Sequence, residues 1–203
     1  MMILHGDKPA ALYVQYTCSA DLQFGLVEET WNMSARAEEL ASRFEQINQD
    51  VIEMVSGDTD LSSTCPAEGW TAAAVGAHIG GAHRGILEGL IMPIVAGEEI
   101  PSSVGPTGEG NAKQAAANAV LARDQILTML RDHGAMAVEY LRSLTDEDLD
   151  RTTILPLFGE NPVTAQQVIE WVLIGHAADH ANSLRQGLGQ ESDHAHGRQE
   201  ATA

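Results

Sequence analysis

Four long stretches of this chain place apolar residues three and four positions apart, and two-residue alternation of the strand type is hard to find. One apolar stripe per stretch can be hidden only against other helices, so the period selects an all-α fold. The first stretch, 26–56, aligns Val27, Trp31, Ser34, Leu40, Phe44, Ile47, Val51 and Met54, and Gly57 ends it. The second, 72–96, is capped by Thr71, aligns Val75, His78, Ile79, Ala82, Ile86 and Leu90, and is bent near its end by Pro93. The third, 111–144, aligns Ala116, Val120, Ile126, Leu130, His133, Ala137, Leu141 and Leu144. The fourth, 165–187, opens on a capping box of Thr164 with Gln167 and closes at Gly187 or Gly189. Its stripe is Ile169, Val172, Leu173, His176, His180 and Leu184. Four such helices predict a four-helix bundle.

Between them, "GEEIPSSVGPTGEG" over 97–110 makes a long Pro/Gly-rich connection, and "TDEDL" reads as a short capped turn. "TTILPLFGENPV" reads as an irregular bridge whose Leu155, Leu157 and Phe158 cover one end of a core. The 203 residues, 44% of them hydrophobic, suffice for one core. The expected organisation is a poorly ordered extension over 1–25, the bundle over 26–188, and a polar, disordered tail over 189–203.

Eleven Lys and Arg against 29 Asp and Glu leave a net charge of −18. That surface repels phosphate backbones and anionic lipid, which argues against nucleic-acid and membrane partners. No apolar run reaches the roughly 18–20 residues that span a bilayer, and the first residues lack signal-peptide order. Cys18 and Cys65 have no CxxC partner, so a reduced, cytoplasmic protein is expected. Cys65 reads as a structural thiol, Trp70 as packing under the start of the second helix, and Trp31 and Trp171 as core or interface.

The histidines are what a plain bundle does not explain. His176 and His180, four residues apart, lie about 40° apart around the helix axis with Cβ atoms roughly 6 Å from each other. Two imidazoles so placed can share one metal ion, as in the helical H-x-x-x-H of zinc sites. His78 also falls on a buried stripe, so helices two and four packed side by side would bring three nitrogens together. Left unpartnered, each buried polar group costs about 1–3 kcal/mol, and a metal turns that cost into binding energy. The alternative is that each imidazole is bonded to a carbonyl or carboxylate inside the core. His83, about 140° around the helix from His78, reads with Arg84 as a surface pair near the site mouth, with an outer or substrate contact as its other reading. His133 is a weaker candidate for substrate or outer contact, with core packing as its alternative. Asp179 faces away from the ion or orients a neighbouring imidazole. The glycines of "GPTGEGNAK" lack the Lys-Ser/Thr pair of a phosphate loop and read as a flexible crossover.

"GWTAAAVGAHIGG" together with the late helical "HAADH" resembles the DinB-like metal-dependent four-helix bundles, a superfamily that also holds the N-terminal domains of mycothiol-dependent maleylpyruvate isomerases. The resemblance covers about 26–188. It implies a bundle with a long crossover between helices two and three, often homodimeric. It also implies a divalent ion, commonly Zn or Ni, on His78, His176 and His180. The late motif continues "HANSLRQ" where many members have His-Arg-Gly-Gln, and His176 stands where the mycothiol enzymes often place Glu. The function so implied is a thiol transferase, isomerase or hydrolase acting on a small molecule, with a low-molecular-weight thiol as possible cosubstrate. Its rival is a non-enzymatic, stress-related binding or dimerisation module, metal-bound or apo.

Overall fold

A computed structural model describes residues 34–100 and 108–190. The extension expected over 1–25, the first turns of the helix expected from 26, and the tail beyond 190 lie outside the described residues.

The first helix, α1 (Ala35–Ser56), starts later than its apolar stripe suggested, because Ser34 is its cap rather than part of it. Ser34 is extended (ψ 124°), and its Oγ accepts the N–H of Ala37. Gly57 ends the helix at φ −62°, without a left-handed turn. The Arg123 guanidinium donates to the carbonyl of Val55, a last-turn acceptor that a helix leaves open, and to those of Gly57 and Thr59 just beyond it.

A minimal hairpin, β1 (Thr64–Cys65) with β2 (Trp70–Thr71), leads into α2 (Ala72–Ile86), which Thr71 caps as expected through the N–H of Ala74. The disturbance expected from Pro93 falls one turn earlier. Pro93 has no N–H for the Gly89 carbonyl, and the chain widens into a π-turn over Leu87–Ile91 before α3 (Met92–Ala96).

The third helix is not one helix but two, α4 (Gly108–Asn118) and α5 (Arg123–Arg142). Val120 and Ile126 are six positions apart, a rotation of roughly 240°, so no continuous helix presents both to one core. The chain breaks at Ala122, which is extended and donates its N–H to the Gln125 side chain at 2.9 Å. Val120 is consequently 84% exposed and Ala116 is exposed, whereas Ile126, Leu130, Ala137 and Leu141 of α5 are buried as the stripe required.

Thr145 and Asp148 cap α6 (Asp146–Asp150) reciprocally. The segment expected as an irregular bridge is a second hairpin, β3 (Thr152–Ile154) with β4 (Pro162–Thr164), closed over a 3-10 turn at Pro156–Phe158. Strands of three residues carry too little alternation to be read in sequence. Leu155 is buried there, but Leu157 is 62% exposed. The last helix runs as α7 (Ala165–Val168), a π-turn over Ile169–Ile174, and α8 (Gly175–Gly187). Its Thr164–Gln167 box is present in both directions. Gly189, at φ 66°, closes it as a Schellman motif, with N–H bonds from Gly189 to Gln186 and from Gln190 to Arg185.

In the bundle, α1 and α2 each pack against both α5 and α8. From Ala72 to Gly80 every residue of α2 is buried, because its residues there are small enough for neighbours on several sides. Gly80 sets the closest approach: a Cβ on it would stand 3.1 Å from Met129 Cβ and 3.2 Å from the Leu130 nitrogen. Among the described residues no helix is long and apolar enough to cross a membrane.

Candidate metal centre

Two helices and one loop build the site. α2 brings His78 into the bundle interior, and α8 presents His176 and His180 one turn apart towards it. The π-turn that ends just before Gly175 shifts the phase at which α8 emerges. One ring nitrogen from each histidine falls within 4.8 Å of the others, the convergence that the stripes anticipated. The ring centroids lie 4.9 Å (His78–His176), 4.8 Å (His78–His180) and 4.4 Å (His176–His180) apart. His78 Nε2 and His176 Nε2 are 3.0 Å from each other.

That last distance can be tested against a shared ion. Two nitrogens at about 2.0–2.1 Å from one metal stand roughly 2.9 Å apart at a right angle and roughly 3.4 Å apart in a tetrahedron. The observed separation lies within this range. The protonation state fits as well. Burial, helped by the neighbouring His180 and opposed by Glu68, pushes His78 down to about 4. Burial, then His180, His78 and His83, pushes His176 down to about 3. Both are therefore neutral near pH 7, the form that lends a lone pair to a metal.

Glu68, in the loop between β1 and β2, completes the arrangement. His180 Nδ1–H donates to Glu68 Oε1 at 2.6 Å, which turns His180 Nε2 towards the cluster. The other carboxylate oxygen accepts from Ser183 Oγ at 2.5 Å, so Glu68 is itself held from α8. The carboxylate is only 10% exposed. Sequence reasoning left Asp179 either facing away from the ion or orienting a neighbouring imidazole. The structure has the first: Asp179 is exposed, on the outer face of α8, and the Nδ1 of His180 is taken by Glu68 instead. Glu68 was missed because only the hairpin brings its loop to the cluster. Trp70, two residues later, stands edge-on to His78 with centroids 5.4 Å apart, under the start of α2 as expected.

The remaining candidates are placed elsewhere. His83 is not a surface residue; it is fully buried, with Nε2 3.0 Å from Asn48 Oδ1 and the Phe44 ring edge-on at 4.7 Å. The helix carrying it is covered on more sides than one stripe suggested. His133 bonds through Nδ1 to the Gly80 carbonyl at 2.7 Å, fastening α5 to α2, and does not join the three converging imidazoles. Cys65 is a buried thiol that burial pushes up to about 11, too high for a nucleophile near neutral pH.

A cavity of about 530 Å³ opens beside His78 and His176. Trp171, read from sequence as core or interface, is half-exposed and forms part of its wall with Phe158, the two rings edge-on at 5.4 Å. The donor set can thus be reached by a small molecule.

With that geometry in place, the chain can be compared with known proteins. A model of the DinB superfamily matches residues 36–184. No curated protein matches by sequence. Among solved structures, mycothiol-dependent maleylpyruvate isomerase is similar at a TM-score of 0.56, with 19% identity, 73% of this chain covered and 60% of that one. A histidine-to-alanine variant of that enzyme gives a TM-score of 0.57 with 18% identity and the same coverage. This chain therefore spans about 60% of the isomerase's length. YfiT from Bacillus subtilis, "a probable metal-dependent hydrolase with an unusual four-helix bundle topology", is similar at a TM-score of 0.56 with 16% identity, over 87% of this chain and 95% of that one. At such identities the likenesses speak for the fold. The family match over residues 36–184 establishes that this chain belongs to the DinB superfamily.

Proposed function

We propose that the protein is a divalent-metal-dependent enzyme in which His78, His176 and His180 hold the ion and the adjoining cavity receives a small-molecule substrate. The observation that carries this reading is the convergence of three imidazoles from two helices, with His78 and His176 Nε2 3.0 Å apart. A bound Zn or Ni ion would supply Lewis acidity, lowering the pKa of water or of a thiol at an open position. The chain's own groups do the rest. Glu68 keeps the Nδ1 proton of His180 and fixes its ring orientation. Burial keeps His78 and His176 unprotonated. Phe158 and Trp171 wall the approach.

Hydrolysis, isomerisation and thiol transfer are the reactions such a site serves, the last with a low-molecular-weight thiol as cosubstrate. The names of the similar structures support this choice. The homodimer and the cytoplasmic location expected from the sequence form part of the same proposal. An enzyme is favoured over a binding or dimerisation module because the cavity meets the imidazoles directly.

The test is metal analysis of the purified full chain beside His176→Ala. About one divalent ion per chain in the parent, with near-complete loss in the variant, supports the centre. Equal, substoichiometric metal in both would reject it.

A further inference from the structure

The cavity has a chemistry distinct from that of the imidazoles at its edge. Beyond His78 and His176, Gln114 carries its one hydrogen-bonding amide side chain, and no Lys, Arg, Asp or Glu is among the described residues that line it. The indole N–H of Trp171 is a second donor, the other described walls are aliphatic or aromatic, and the volume of about 530 Å³ is that of an ordinary small-molecule site. A second charge on a ligand would be desolvated there with no counter-charge, and the chain's net charge of −18 adds to the penalty for an anion. A row of hydroxyls would find too few partners.

The α2 side of the cavity includes Gly81 and Gly85. Glycine is disfavoured inside a helix. At Gly80 the close contact with α5 explains it, but at Gly85 no atom of the described residues outside its own helix backbone lies within 4 Å of an added Cβ. Packing among the described residues does not require glycine at 85. What its missing side chain leaves is room beside the cavity.

We infer that the cavity accepts a molecule with one metal-ligating head and an uncharged, apolar body, and that Gly85 sets how bulky that body can be. The head rests on the proposed metal centre, whereas the body rests on the lining alone.

Calorimetric titration of the zinc-loaded full chain with three hydroxamates tests it: acetohydroxamate (the head alone), octanohydroxamate, and suberic acid monohydroxamate, whose chain ends in a carboxylate. Octanohydroxamate should bind at least about tenfold more tightly than either of the others. Gly85→Leu, which fills the room, should collapse the ratio between the octano and aceto forms. Leu157→Lys, which puts a cation on the exposed wall, should narrow the ratio between octanohydroxamate and its carboxylate analogue by raising the affinity for the analogue itself, a gain that misfolding cannot mimic. Equal affinities for all three, or ratios unchanged in both variants, would overturn the inference. Failure of the metal centre shows differently, as zinc not retained and acetohydroxamate unbound. The metal-free protein is then titrated with 1-octanol and 1,8-octanediol. Preference for octanol that Gly85→Leu removes supports the apolar body, and equal binding or none overturns it.

Discussion

His78 and His83 lie five residues apart on α2, and the fold treats them in opposite ways. His78 points its Nε2 at the Nε2 of His176, so each nitrogen faces a group of its own kind at 3.0 Å. His83 points its Nε2 at the side-chain oxygen of Asn48, whose own amide then donates to the Leu130 carbonyl. Gly134 makes room for that amide, since a Cβ there would stand 2.1 Å from Asn48 Nδ2. Burial depresses both histidines, to about 4 and about 3, so neither burial nor titration tells them apart. The partner does. An amide oxygen satisfies an imidazole N–H without help, whereas converging imidazoles present lone pairs that a cation can share.

The largest break in this comparison is His83→Ala. It opens a cavity and leaves Asn48 without its partner, costing about 3 kcal/mol in urea unfolding of the metal-free protein at pH 7.5, with zinc uptake retained. Loss of zinc without loss of stability would invert the two roles. The pH dependence sharpens the point. The folded pKa of His83 is depressed to about 3 from the ordinary 6.5, so the unfolded chain takes up the proton first and stability falls as pH drops below about 6.5. At pH 5 this proton uptake costs the parent about 2 kcal/mol and the variant nothing. The cost of His83→Ala should therefore shrink by about that much on acidification, since terms common to both proteins cancel.

Smaller is the effect of Glu68→Gln, which keeps a hydrogen bond to His180 but removes the charge. Metal affinity, measured by competition with a chelator, should fall about 10–100-fold. The smallest expected effect is that of Asp179→Asn, within a factor of about two by the same assay, because Asp179 faces outwards. Equal losses in the two variants would undo the assignment of Glu68.

What the sequence made legible was local. Thr71, Thr164 with Gln167, and Thr145 with Asp148 cap their helices through residues three positions apart, which a linear reading can see. The four-residue spacing of His176 and His180 belongs to the same class. Glu68 and Asn48 were not legible, since each meets its imidazole across a long separation in sequence. A signal for the burial of His83 did exist. "AAAVGAHIGG" is small on every face, and a helix of that kind invites neighbours all round rather than along one stripe. The break between α4 and α5 was equally present as a six-residue step in the apolar stripe. The hairpins were hidden because two- and three-residue strands show no period.

The most direct test is a crystal structure of zinc-soaked protein, with data collected on both sides of the zinc absorption edge. The account predicts one anomalous peak about 2.0–2.2 Å from nitrogens of His78, His176 and His180, with Glu68 still bonded to His180. A peak elsewhere, or none between α2 and α8 at full zinc saturation, would contradict it.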